Sequence, residues 1–546
     1  MIAKVFSAIP YGYDGCIVDV EASSARSLPS FNIVGMANKT ISEARERVRS
    51  AITNSNFQFP DKKVTINLAP AEIPKDGSHL DLPIALAVLI LSRHVLPSDL
   101  EKRLFVGELS LDGLTKPVRG IISVVEAAQK AGFKEVYVPK ANLEQAKLVP
   151  DIQIIGVANL QELLLHLKGI HSIQNISTTK ASTNAKQAAK DDALATSILV
   201  KNTVTPFPTL DDVCGQDFVK RAITIAIAGR HNILLSGPPG VGKTLLARVA
   251  AGLLPLPTPS EQISITKIHS LCSTSDEVIL TRPFRAPHHT ASTASIIGGG
   301  NKITPGEITL AHHGILFLDE LPEYSRTVLE ALRQPLEDHV ITVTRARQRV
   351  TYPANFMLIA TMNPCPCGYL NDPDKECSCT PLQISHYHKR ISGPILDRID
   401  MVINVGRVKQ EQLLSTSDLV KNTQIDTDIS PRRNLFQKHS NTVKASPTPK
   451  QNAAIKQIEE ATLCQQKRYS SHGVYNSNLS SLKISNYVKI TPTGVKLLQE
   501  AVSSLNLSAR AYFKTIKVAQ TIADLSSLTE VGAEQISEAL SFRQTI

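Results

Sequence analysis

With 546 residues, 42% of them hydrophobic and 20% charged, the chain is long enough for three or four units of about 150 residues that each bury a core, and too apolar to be a disordered polymer. A formal charge of +10 and a pI near 9.1 favour an anionic partner, nucleic acid first, against the plainer alternative that surplus lysines solvate the surface. The longest apolar run, 84–91, is far short of the roughly 20 residues that cross a bilayer, the start MIAKVF lacks a secretory pattern, and eight cysteines, four of them between 365 and 379, do not make a disulfide scaffold. A cytoplasmic protein without a membrane segment is expected.

Residues 1–167 alternate strands with helices: 65–68 and 104–109 read as strands, 82–92 and 124–131 as helices. That alternation makes a compact α/β unit. From 168 to 206 the composition turns to Ser, Thr, Ala, Asn and Lys without apolar periodicity, as in a flexible linker. A second α/β unit is expected over 207–407, where a helix at 218–229 follows Val213-Cys214-Gly215-Gln216. The apolar run 232–235 reads as a buried strand that enters GPPGVGKT, residues 237–244, and leaves into a helix over 245–251. Strand, glycine loop and helix form the context of a phosphate-binding loop. Gly237, Gly240 and Gly242 let backbone N–H groups point inward at phosphate oxygens, helped by the positive helix end. Pro238, Pro239, Val241 and Leu245 complete the segment, Lys243 can reach the β- and γ-phosphates, and Thr244 can offer its hydroxyl to Mg²⁺. A chance glycine turn is outweighed because the full pattern sits between the right two elements.

Further on, the triple glycine 298–300 reads as the tip of a hairpin beside Lys302. His288 and His289 invite a metal reading, but adjacent histidines on regular structure point apart, so loop packing or polar contacts are preferred. The strand 314–318 ends in two acids. Asp319 would hold Mg²⁺ and Glu320 would polarise an attacking water, so that with the glycine loop they mean ATP hydrolysis. Residues 338–353 alternate on both flanks of a basic tip, Arg345, Arg347 and Arg349, and read as a β-hairpin suited to a DNA backbone or to acids on a neighbouring subunit. The strand 356–361 ends at Asn363, whose amide could orient the water. Cys365, Cys367, Cys377 and Cys379 can close around one Zn²⁺, the alternative being four reduced thiols in a loop. The run SGPILDRID, 392–400, places Arg398 after a short loop, and beyond 407 the chain becomes helical, with a polar and mobile stretch at 416–449.

The order of glycine loop, Asp-Glu strand, Asn363 and LDRID arginine resembles an AAA+ ATPase of the magnesium-chelatase-like branch. The segments LPSFNIVG (28–35), RERVR (45–49) and NLAPA (67–71) resemble the amino-terminal domain of the ComM/YifB family, itself similar to the proteolytic domain of Lon. Residues 74–77, PKDG, match the stretch before the Lon nucleophile, yet His79 holds the nucleophile position, Ser78 lies one place early, and Ile122 stands where a lysine is expected. A serine without an amine base is not activated, so an inactive protease fold is expected. The resemblance implies a fold of three parts: the Lon-like α/β domain 1–167, an AAA+ α/β core 207–407 with inserted β-hairpins, and a helical lid 408–546. It implies ATP and Mg²⁺ as cofactors, with Gln216 where the adenine is held, though a plain helix cap reads the same. Arg510 matches the second sensor of the lid and Arg398 the finger that completes a neighbour's site, roles that could be exchanged. It further implies a homo-hexameric ring whose hairpins line a pore around single-stranded or branched DNA, recombination proteins as partners, and branch migration in homologous recombination during natural transformation. The alternative is a chelatase-like motor that remodels a protein partner. The Lon-like unit ahead of the motor argues against that, as does a hairpin tip without an aromatic grip.

Overall fold

The computed structural model describes residues 2–544 apart from 36–38, 76, 97–99, 174–175, 178–206, 301–302, 346–347, 371, 409–448, 471–472 and 506. Most of the expected linker, the stretch 416–448, Lys302 and Arg347 therefore lie outside the described residues, as does the side chain of Arg345.

The amino-terminal part is built on an eight-stranded mixed sheet in the order Ile176–Ser177, Gln153–Val157, Glu135–Pro139, Arg103–Phe105, Ile2–Tyr11, Asp14–Ala25, Lys63–Ala69, Ser30–Val34. Ile2–Tyr11 alternates, with Ala3 and Val5 buried and Lys4 exposed, the period that puts one face on a core. Helix Asp81–Leu91 is buried from Asp81 through Ile90, as a helix apolar on every side must be. Its buried Asp81 is held by the Arg47 guanidinium at 2.8 Å. The expected strand 104–109 divides into Arg103–Phe105 and Glu108–Leu109. At the break, Val106 donates to Tyr137 O while Gly107 donates to His79 O, so the second piece leaves the sheet to pair with Thr115–Lys116.

The second sheet has five strands, all parallel, in the order Phe284–Arg285, Ile315–Leu318, Met357–Met362, Ile233–Ser236, Met401–Asn404. Ile233–Ser236, Ile315–Leu318 and Met357–Met362 are buried at every position, because a parallel sheet covered on both faces offers no wet side. One face packs on helices Asp217–Gly229 and Lys243–Gly252 together with the carboxy-terminal helices Pro449–Tyr469 and Ala509–Leu525. The other carries a cluster with Val328, Tyr352 and Ile399. The edge strand is covered in turn, as Val402 donates to Phe542 O and accepts from Gln544 N–H. Both expected hairpins form, but the glycines are not the tip of the first: Gly298–Gly299 is itself a strand, paired with Thr304–Pro305, while Val340–Arg345 pairs with Gln348–Pro353. Among the described residues no helix is long and apolar enough to cross a membrane.

The two sheets meet at the turn between the first two strands. Tyr13 packs into the cluster that holds Val343, Val350 and Tyr352, so the turn reaches the flank of the second hairpin. Lys267, 2% exposed, lies 3.9 Å over the Tyr13 ring and 2.6 Å from the Glu126 carboxylate. Its buried charge thus has both a π-face and an anion across the junction. Gln145 Nε2 donates to Ser275 O at 2.7 Å. Gly12 sits at φ +62°, and a Cβ there would come within 2.5 Å of Val350 Cγ1. Gly12→Ala should therefore cost about 1–3 kcal/mol, from a left-handed backbone plus an overpacked contact. Its loss combined with Val350→Ala should be smaller than the sum of the two single losses in thermal unfolding; strict additivity would mean that the turn and the hairpin do not press on each other.

Candidate active site

Ile233–Ser236 ends at Gly237, where the backbone passes so close to Val405 O that a Cβ would lie 2.3 Å from it. Gly240 and Gly242 hold φ of +82° and +86°, a left-handed curl that side chains resist. Helix Lys243–Gly252 follows, and no side chain caps its start. Its first N–H groups therefore stay available to an anion, with open space at both glycines. Gln216, at φ +54°, makes no capping bond to the helix it precedes; its Nε2 donates to Val241 O and Gly406 O, both at 3.2 Å. The cap alternative thus gives way to a clamp on the loop. Its buried Oε1 has no partner among the described residues, an acceptor that an exocyclic amine would satisfy.

Lys243 Nζ donates to Gly237 O at 2.6 Å, to Pro238 O at 3.0 Å and to Asn363 Oδ1 at 3.0 Å. Burial lowers its pKa while Asp319 and Glu320 hold it up. Thr244 Oγ1 donates to Asp319 Oδ2 at 3.2 Å, and Thr361 Oγ1 donates to Asp319 Oδ1. Thr361 Oγ1 also accepts from Glu320 N–H at 3.0 Å. Asp319 is thereby fixed between two hydroxyls, and Glu320 leaves the strand at φ +53° with its side chain exposed beside the loop. These groups meet because the strands carrying them are parallel neighbours whose carboxyl ends align. Loop amides and an ammonium fit a triphosphate, a hydroxyl and a carboxylate fit Mg²⁺, and Glu320 with Asn363 can orient a water.

Arg398 and Arg510 lie elsewhere. Asn232, at the amino end of the loop strand, accepts at its backbone O from Asp400 N–H at 2.9 Å and donates its Nδ2 to Arg398 O at 3.2 Å. The strand separates that end from Gly237 by five residue steps, about 17 Å. Both arginines close on one carboxylate, Glu337, with Nη2 of Arg398 at 2.6 Å and Nη2 of Arg510 at 3.2 Å. They line a cleft of about 400 Å³ with Arg230, Lys514 and Lys517. There Asp400 is held far below the carboxylate range; burial opposes this, but Lys514 at 3.0 Å and His231 outweigh it.

The four cysteines gather: Cys365 Sγ is 3.3 Å from Cys367 Sγ and 3.6 Å from Cys377 Sγ, and all four sulfurs lie within 4.8 Å of one another. Arg349 is exposed on its hairpin. His288 and His289 do not point apart; they sit in a turn, not on regular structure, with ring centroids 4.2 Å apart, and His288 Nδ1 lies 2.8 Å from Thr290 Oγ1. Ser78 Oγ donates to the Glu108 carboxylate, and His79 Nε2 is 2.7 Å from Arg119 O. Thr361 and Glu337 were not read from the sequence. Thr361 stands two places before Asn363, near the end of the strand Met357–Met362 that leads to it, a usable signal, whereas Glu337 has no local mark.

The chain matches the family descriptions "Magnesium chelatase, subunit ChlI" over residues 209–413, "Subunit ChlI of Mg-chelatase" over 20–142 and "Magnesium chelatase, subunit ChlI C-terminal" over 450–543. It is thus a magnesium-chelatase-like AAA+ protein with a Lon-like amino-terminal part, the latter 32% identical to Lon protease 2 of Bacillus subtilis over 27% of this chain and 29% of that one. It is 37% identical to Competence protein ComM of Haemophilus influenzae over 100% of this chain and 98% of the relative. To the uncharacterized protein YifB of Salmonella typhimurium it is 36% identical over 99% and 97%. The chain belongs to the ComM/YifB family.

Glu320→Gln should keep nucleotide affinity within a few-fold and lower ATP turnover by about 10²-fold or more, the scale of a lost general base. Fluorescent-nucleotide titration beside steady-state turnover checks this, and equal losses in both would deny Glu320 its role.

Proposed function

We propose that the chain is an ATP-driven DNA translocase that promotes branch migration in homologous recombination during natural transformation, working as a homo-hexamer in the cytoplasm. The observation that carries this reading is the separation of the two half-sites. Lys243, Asp319, Glu320 and Asn363 lie at the carboxyl ends of the strands, while Arg398 and Arg510 share Glu337 at the amino end. One copy cannot bring them together across the sheet, so a second copy supplies the arginines, and repetition of that head-to-tail contact closes a ring.

Mg²⁺, when bound, would supply neutralisation of charge on the transferring phosphoryl group. Thr244 and Asp319 hold its position, Lys243 steadies the terminal phosphates, and Glu320 takes the proton of the attacking water while Asn363 orients it. Arg398 and Arg510, offered by the neighbour, stabilise charge that develops only in the transition state. In this reading both reach across, and their shared hold on Glu337 supports one joint task for the finger and the second sensor.

The basic tip Arg345, Arg347 and Arg349, with Lys302 on the other hairpin, supports DNA as the polyanion that is moved. The competence name of the Haemophilus influenzae relative supports the pathway and recombination proteins as partners. In this reading residues 1–167 are an inactive Lon-like platform, 168–206 a linker, 207–407 the motor and 408–546 the lid. The chelatase descriptions favour one second reading, a motor that remodels a protein partner.

ATP turnover at moderate salt decides between them. Branched or single-stranded DNA should stimulate it several-fold. Arg345→Ala with Arg347→Ala and Arg349→Ala should abolish that stimulation and leave basal turnover in place. A strand-exchange intermediate should be extended only with ATP. Turnover indifferent to DNA, in a chain that assembles, would transfer the function to the protein remodeller.

A further inference from the structure

We propose that Cys365, Cys367, Cys377 and Cys379 hold one zinc ion, and that this metal fixes the wall of the phosphate-binding loop and the amide of Asn363, so that it governs ATP turnover. The second half rests on the reading of Lys243, Asp319 and Glu320 as an ATP-hydrolysing site.

The donor set fits zinc in kind and in size. Four thiolates about 2.3 Å from a tetrahedral Zn²⁺ lie about 3.8 Å from one another. The sulfurs here stand at 3.3, 3.5 and 3.6 Å where they touch and within 4.8 Å throughout. Shifts of less than about 1 Å close them on an ion. None of the four is in a disulfide. Cys365 is buried and the other three half-buried, and Cys367 N–H donates to Cys379 Sγ at 3.3 Å, the outer-shell support that a bound thiolate receives.

A merely decorative knuckle would point away from the chemistry, but this one lies on it. Cys365 follows Asn363 by two residues, and Pro364 between them accepts from His388 Nε2 at 2.8 Å. Within the loop that the thiols close, Gly368 adopts φ +85°, and a Cβ there would come within 2.7 Å of Pro239 Cδ in the phosphate-binding loop and 3.9 Å of Asn363 Cγ. Asn363 Oδ1 in turn receives the Lys243 ammonium. The described residues of 365–379 contain neither helix nor strand, so apart from the Arg407 pairs with Asp372 and Asp374 no regular structure offsets the entropy of holding Gly368 against Pro239. A four-point metal crosslink does.

The test uses the purified full chain. Zinc is counted by elemental analysis and by its release on mercurial modification of the thiols, and turnover and fluorescent-nucleotide affinity are measured side by side. One zinc per chain is expected. Its removal should lower kcat about tenfold or more while nucleotide affinity changes less than threefold, and returning zinc after thiol reduction should restore kcat. Because the stripped protein could also lose its fold, Gly368→Ala supplies the second arm: it should keep one zinc and nucleotide affinity yet lose kcat about tenfold. A chain without zinc and with four freely reactive thiols overturns the site. Unchanged kcat in both Gly368→Ala and the stripped protein overturns the coupling. A zinc-loaded parent that hydrolyses no ATP, alone or with DNA, overturns the ATP reading and the coupling with it while the metal count stands.

Discussion

Parallel pairing of three short strands is the constraint on which the core depends. Ile233 faces Ile359, and Ile315 faces Met357, so the loop glycines, the acids at 319 and 320 and the amide at 363 all emerge from one rim of the sheet. The strands stay in step because every residue in them is buried, and any slip would place a mismatched shape into a closed interior. That rim then needs few direct contacts of its own. Thr361, at the end of the central strand, reaches both Asp319 and the backbone of Glu320, and Lys243 ties the loop to Asn363.

The same order that gathers one set of polar groups keeps Arg398 and Arg510 at the opposite end of the sheet. The loop after Arg398 returns to Asn232, the opposite end of the strand, and Ala509–Leu525 brings Arg510 there as well. The helix is anchored to the core by His231, whose Nε2 lies 2.7 Å from Thr521 Oγ1, and by Lys514 on Asp400. Glu337 keeps both guanidiniums together with a charge that a phosphate oxygen could replace.

Motifs whose chemistry is contiguous were legible in the sequence: the glycine loop, the Asp-Glu strand, the alternating hairpin flanks and the spaced cysteines each announce a local geometry. The α/β class followed from alternation, and the helix read at 218–229 lies within Asp217–Gly229. What escaped depends on distant contacts. The strand read at 104–109 breaks because Val106 and Gly107 bond to different neighbours. Gln216 looked equally like a cap or a ligand, and only its bonds to Val241 and Gly406 separate the two. Glu337 lies 61 positions from Arg398 and 173 from Arg510, and no pattern in a single chain foretells that such residues will share a charge.

The turn formed by Tyr11, Gly12 and Tyr13 gives the amino-terminal part a role in the order of synthesis. During translation the first sheet emerges well before Val350 and Tyr352, and domains fold as they leave the ribosome. A hairpin made later would then meet a surface already in place at Gly12 and Tyr13. A Lon-like part can in this way act as a mould for its neighbour.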